Sequence, residues 1–175
     1  RSIIASDLES EGRFVSEASY IVYPDDPVNP SMYYVKNGRT GQIEYSSSNA
    51  VDVIQYAVDK ASALGGGVVH LTSGLYTVTK TIYLKSGVLL RGSGKATKLV
   101  ASGSGFNVIH ANGSSNSPVE DVAVEDLFMD LTNLFNGYGI VYGFVRRVAI
   151  RRVTIVDNNN DPSAPTVRGI IIGAY

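Results

Sequence analysis

The feature that most constrains this chain is a repeat whose charges are inverted. Setting "VEDVAVEDLFMD" (119 to 130) above "VRRVAIRRVTIV" (145 to 156) gives one offset, 26 residues, at every position. Val119, Val122, Ala123 and Val124 fall on Val145, Val148, Ala149 and Ile150, while Leu127 and Met129 fall on Val153 and Ile155. Glu120, Asp121, Glu125 and Asp126 fall on Arg146, Arg147, Arg151 and Arg152. Apolar positions that persist while acids exchange for bases describe two segments stacked on one another. Stacked strands lie about 4.8 Å apart, so equivalent side chains of successive coils touch. Each exposed pair contributes roughly 0.2–1 kcal/mol. The greater consequence is register, since a slipped coil loses all four pairs together.

Read alone, the arginines suggest a site for nucleic acid, an acidic polysaccharide or a lipid headgroup. Composition weighs against the first. The 175 residues hold 15 Lys and Arg against 16 Asp and Glu, a net charge of −1, where a nucleic-acid binder shows a basic surplus. No apolar run approaches a membrane span. The 44% hydrophobic content suits one domain with a sizeable core. With no cysteine, disulfides and thiolate metal sites are excluded. No cofactor or metal site is expected. Arg1 in place of methionine suggests a processed or trimmed chain.

A second strand type also recurs. "GIVYG" (139 to 143) matches "GIIIG" (169 to 173) at an offset of 30. "GFNVI" (105 to 109) precedes "GIVYG" by 34, "VLL" (88 to 90) precedes "VAV" (122 to 124) by 34, and "GLYTV" (74 to 78) reads as the same glycine-led element one repeat earlier. Three short strands per repeat with unequal loops describe a coil that stacks on its neighbours.

Three units follow. Residues 1 to 31 read as an N-terminal arm and a proline-rich linker, "PDDPVNP", with a strand in "SEASYIVY" (16 to 23). Residues 32 to 67 hold a hairpin about Asn37-Gly38 and one helix. Residues 68 to 175 are the coils. The helix begins at Asn49, a good N-cap with Asp52 three residues on, and Val51, Ile54, Val58, Ala61 and Leu64 share one face. That face suits the open end of a coil stack.

"YYVKNG", this helix, "GGGVVHLTSGLYTV", "TIYLKSGVLLRGSG" and "ATKLV" together resemble the N-terminal region of pectate-lyase-like parallel β-helix proteins. The resemblance covers about 33 to 100 well. It implies an all-β fold: a right-handed parallel β-helix of about four coils with an N-terminal capping α-helix. It leaves function open, because the scaffold carries lyases, hydrolases, epimerases and phage tailspikes. Two departures stand out: Ser46, Ser47, Ser48 and Asn49 replace the usual Asp-Asp-Thr stretch, and Thr72 replaces a common proline.

Catalytic signals are weak. Glycoside hydrolysis needs two carboxylates about 5–9.5 Å apart. Asp130 and Asp157 are the candidate pair, with loop or corner carboxylates the preferred reading for both and for Asp161. No Gly-His-Gly or Arg-x-Lys element of the polygalacturonase kind is present. A lyase would need a basic residue and calcium-binding acids, and the repeat already commits the acids to arginines. His70 and His110 read as structural. Asn158, Asn159 and Asn160 are candidates for sugar contact, with a plain polar loop preferred. Tyr33, Tyr34, Tyr138 and Tyr142 read as packing, with a sugar-stacking patch as the alternative. Asn112-Gly113-Ser114 would accept a glycan in a secreted chain.

The expected role is a non-catalytic structural or adhesive subunit of an extracellular, cell-surface or virion assembly that engages polysaccharide. The alternative is the front part of a polysaccharide lyase or glycoside hydrolase. Gly169, Ile170, Ile171, Ile172 and Tyr175 mark an interior-type strand with no polar closing segment. A homo-oligomer formed through coil ends or the N-terminal arm is therefore expected.

Overall fold

The computed structural model describes residues 18–157 and 167–173. Three strands come first: β1 (Tyr20–Pro24), β2 (Tyr33–Asn37) and β3 (Ile43–Ser47), followed by α1 (Ala50–Ala63). The coils then run β4 (Gly67–Leu71), β5 (Gly74–Val78), β6 (Ile82–Tyr83), β7 (Val88–Arg91), β8 (Thr97–Ser104), β9 (Asn107–Asn112), β10 (Val119–Phe135), β11 (Gly137–Gly143), β12 (Val145–Val156) and β13 (Val167–Ile172).

Among the described residues every strand pair of the coils is parallel, and only β1–β2 and β2–β3 are antiparallel. One face stacks β4, β7, the first part of β10 and the first part of β12. A second stacks β5, β8 and the latter parts of β10 and β12. A third stacks β6, β9, β11 and β13. The first face is crossed four times, so three full turns separate its first strand from its last. The alternation of side chains across each strand sends one set inward. Val69, Leu71, Val88, Leu90, Val122 and Val124 from the first face meet Tyr76, Leu99, Met129, Ile82, Ile109 and Ile140 from the others, all at most 1% exposed.

The 26-residue register holds from Val119 opposite Val145 to Asp130 opposite Val156. The 34-residue offset also holds on the first face, where Leu89 meets Ala123, and the 30-residue offset on the third, where Ile140 meets Ile170. Two readings of the third face need correction. "GFNVI" lies 31 residues, not 34, before its partner, because Asn107 pairs with Tyr138 and Ile109 with Ile140. "GLYTV" pairs with β8 and belongs to the second face. The reason is that Gly105 (φ +76) is a corner residue two places before β9, the counterpart by register of Asn136 (φ 53) in the next coil. Gly139 instead lies within a strand, where a Cβ would come within 2.5 Å of the Gly169 carbonyl oxygen.

The N-terminal strands are part of the stack. β1 pairs in parallel with β4 and antiparallel with β2, so it extends the first face by one strand. The boundary expected at 31/32 thus falls between two paired strands. Residues 20 to 22 are paired on both sides, which removes them from any role as a free strand-adding arm. Residues 1 to 17 of that arm lie outside the described residues.

Between β1 and β2, Asp25 organises the proline-rich loop. Its carboxylate accepts the Ser31 hydroxyl and the backbone N–H groups of Asp26, Ser31 and Met32. These bonds, that from the Ser31 hydroxyl foremost, hold its pKa at about 2, against an ordinary 3.8. A depressed carboxylate contributes stability that is complete above its ordinary pKa and lost as pH falls through its folded value. Asp25→Asn should therefore flatten the fall in melting temperature between pH 3.8 and about 2, as scanned by circular dichroism.

The β2–β3 hairpin closes through a longer loop than an Asn-Gly turn. The Asn37 side chain accepts from the N–H of Arg39 and Thr40, and Gly41 (φ +75) completes the reversal. α1 is capped as expected, with Asn49 Oδ1 accepting the Val51 N–H at 2.9 Å. Asp52 does not reach back to the cap in a box. It pairs with Lys80 Nζ at 2.6 Å. Val51, Ile54, Val58 and Ala61 are buried over β1 to β7, joined by Val53 and Ala57. Leu64 is 73% exposed because it lies past the last helical turn. The helix closes the N-terminal end of the stack.

Candidate functional site

The inverted charges occupy two corners that flank the first face. Asp121, Asp126, Arg147 and Arg152 all adopt left-handed backbone, with φ of 56, 56, 52 and 50°. Such a conformation costs a non-glycine residue roughly 1–2 kcal/mol, least for Asp and Asn. The earlier coils use glycine at the first corner. The pairing of Leu89 with Ala123 sets Gly87 (φ +79) beneath Asp121, and the pairing of Gly67 with Val88 sets Gly66 (φ +118) beside Gly87. One corner column therefore runs Gly66, Gly87, Asp121, Arg147. The glycines at 66 and 87 were the sequence signal for it.

At the first corner Arg147 forks onto Asp121, Nε to Oδ1 at 2.6 Å and Nη2 to Oδ2 at 2.8 Å, and reaches Glu120 Oε2 at 2.6 Å. Arg146 Nη1 lies 3.4 Å from Glu120 Oε1. At the second corner Arg152 forks onto Asp126 and comes within 3.5 Å of Glu125. Arg151 Nη1 is 3.7 Å from Glu125 Oε2. The structure brings all four acids against all four arginines. Bonds from the two forking arginines hold the Asp121 and Asp126 carboxyls below the ordinary carboxylate range. Two-point forks of this kind fix geometry as well as charge.

Glu125 differs from the others. It is 5% exposed and also accepts Arg91 Nε from the preceding coil at 2.7 Å. Register continues this column inward, His70 opposite Arg91 and Arg91 opposite Glu125. His70 Nε2 meets the Ser93 hydroxyl at 3.3 Å, and burial followed by the Arg91 charge lowers its pKa. His110 packs on the Tyr83 ring, 5.8 Å between centroids, and burial lowers its pKa too. Both histidines sit in packing positions.

The other candidates do not converge. Asp130 pairs with Val156, one residue short of Asp157, so the two carboxylates hold inequivalent positions. Asp130 instead accepts from the Thr132 backbone and hydroxyl. Tyr33 is buried on Tyr76 and donates to the Leu75 carbonyl, Tyr34 stacks on Tyr23, and Tyr142 lies in the core. They form no common patch. Asn158, Asn159, Asn160, Asp161 and Tyr175 lie outside the described residues. Among the described residues no three His, Asp or Glu side chains are grouped to hold a metal ion, and no helix is long and apolar enough to cross a membrane. Two open clefts are lined by described residues. One of about 410 Å³ lies between the end of α1 and the Glu120–Asp121 corner, and one of about 360 Å³ lies among Pro27, Val28, Leu75 and Lys98.

No protein-family model matches the sequence, and no curated protein matches it. Solved structures do. The A-module of the Azotobacter vinelandii mannuronan C-5 epimerase AlgE6 superposes with a TM-score of 0.61 at 22% identity, over 73% of this chain and 37% of the module. The AlgE4 A-module of the same organism gives 0.57 at 24% identity, over 72% and 38%. The ORF18 protein of Geobacillus virus E2 gives 0.50 at 16% identity, over 85% and 37%. The chain spans somewhat over a third of the length of each. At these identities the likeness is one of fold: the chain is an all-β parallel β-helix, closed at its N-terminal end by a helix.

Proposed function

We propose that this chain is a non-catalytic scaffold, a structural or adhesive β-helix element that engages polysaccharide in an extracellular, cell-surface or virion setting. One observation carries the reading. The carboxylates and guanidiniums best placed for chemistry bind one another across two coils. Mannuronan-acting and phage proteins with the same fold support the polysaccharide and virion terms. The test is to incubate the chain with polymannuronate and polygalacturonate. It should be retained on the immobilised polymer with no cleaved, unsaturated or epimerised product by NMR. Product formed by this chain would overturn the scaffold reading.

A second reading makes these residues the front part of a polysaccharide lyase or hydrolase. It is supported by the 37–38% coverage of the epimerase modules. It predicts that the protein from its native source is much longer and carries the activity that these residues lack.

A further inference from the structure

Within the polysaccharide reading, on which this step rests, we propose that the cleft between the Asp25 loop and the second face is a subsite for one uronate residue, its carboxylate held by Lys98. The cleft, of about 360 Å³, is lined among others by Pro27, Val28, Ser73, Leu75, Ala96 and Lys98. That volume falls inside the range of about 300–1,000 Å³ usual for small-molecule sites. Its wall is formed in advance. The Asp25 and Asp26 carboxylates accept N–H groups of their own loop and the Ser31 hydroxyl, which fixes the shape of that loop. The Leu75 N–H donates to the Pro27 carbonyl at 3.0 Å, tying the loop to β5. Gly74 permits this approach, since a Cβ there would lie 2.7 Å from Pro24 Cγ. Val28 is thereby displayed on a fixed loop at 69% exposure, an apolar side chain held out to solvent beside the cleft.

A pyranose ring has a C–H face and a rim of polar groups, so it suits an apolar wall with a few polar side chains at its edge. Pro27, Val28, Leu75 and Ala96 give the carbon surface, and the Ser73 hydroxyl and Lys98 ammonium supply the polar groups. Charge selects the acid form of the sugar. Lys98 is the single charged side chain lining the cleft, it is exposed, and among the described residues no carboxylate pairs with it. Lys80 and Lys85, by contrast, meet Asp52 and Asp59 at 2.6 and 2.8 Å. Register sets Lys98 between Leu75 and Phe128, so its neighbours in both adjacent coils are apolar and no acid competes for it. A bound carboxylate would give this ammonium the counter-charge that the fold does not, and a neutral sugar would not.

Short oligomers of mannuronate and galacturonate, titrated onto the 175-residue protein and followed by amide NMR shifts, test the subsite. The amides of Val28, Ser73, Leu75 and Lys98 should move first. Methyl-esterified galacturonate oligomers should bind at least about fivefold more weakly, the loss of one partly exposed charge-assisted contact. Lys98→Gln should weaken the acid oligomers by a similar factor, and Lys98→Arg should keep most of the affinity. Lys36→Gln, which removes an exposed charge on β2, should leave binding unchanged. Equal weakening by Lys98→Gln and Lys36→Gln, shifts confined to other surfaces, or no shift with any oligomer would overturn the subsite. Retention on immobilised polymer alongside any of those results would leave the polysaccharide reading in place. Absence of retention as well would remove both.

Discussion

Replacing Glu125 by alanine is expected to remove about 3 kcal/mol of stability, because breaking a buried ion pair strands its partner charges. Glu125 is 5% exposed and serves three arginines: Arg91 at 2.7 Å, Arg152 at 3.5 Å and Arg151 at 3.7 Å. Arg91 is itself one-third exposed and partly rehydrates, which holds the loss near the low end of the range for such pairs. Glu120, whose side chain is 31% exposed, serves as the comparison. Its alanine variant should lose at most about 1 kcal/mol, as surface pairs do. Urea unfolding measures both, as a shift in midpoint at constant slope. Exchanging the pair, Glu125→Arg with Arg151→Glu, should recover only part of the loss, since Arg91 would then face an arginine. Adding Arg91→Glu should recover more.

Gly66→Ala should cost about 3 kcal/mol or more, through left-handed strain combined with a backbone collision. Its φ is +118, and an added Cβ would lie 2.6 Å from the Gly87 carbonyl oxygen. Neither atom sits on a flexible side chain that can swing aside. Gly65 separates the two causes. Its φ is +90, but a Cβ there meets nothing within 4 Å. Gly65→Ala should therefore show the conformational cost alone, about 1–2 kcal/mol. Thermal melts of both variants would rank them, and a Gly65→Ala loss as large as that of Gly66→Ala would remove the collision from the account.

The sequence exposed most where charge and apolarity repeat together. The exchange of Glu120, Asp121, Glu125 and Asp126 for arginines fixes the register of β10 and β12, because a slip of one residue would break both patterns. The helix cap at Asn49 was legible for a local reason, its side chain bonding to a backbone N–H two residues on. The third face was less legible. Gly105 at a corner and Gly139 within a strand are the same letter with different physical roles, so aligning them shifts the pairing by three residues. Nor did the pattern reveal Glu125 as the buried member of the network. Its third partner, Arg91, belongs to a coil whose corner carries Gly92 instead of a second charge. The part played by β1 was hidden because its pairing with β4 joins residues some fifty positions apart.

The register is the central claim, and a disulfide tests it most directly. The chain has no cysteine, so any crosslink is an introduced one. Ala123 and Ala149 are partners in adjacent coils, with Cα atoms about 4.8 Å apart by strand spacing, inside the range a disulfide spans. Ala123→Cys with Ala149→Cys should oxidise readily in the folded protein and give a single crosslinked species. Ala123→Cys with Arg151→Cys places the second thiol two residues further along, beyond about 7 Å between Cα atoms, and should stay reduced. Equal oxidation of the two variants, or faster crosslinking of the 123/151 pair, would contradict the 26-residue register and the charge ladder built on it.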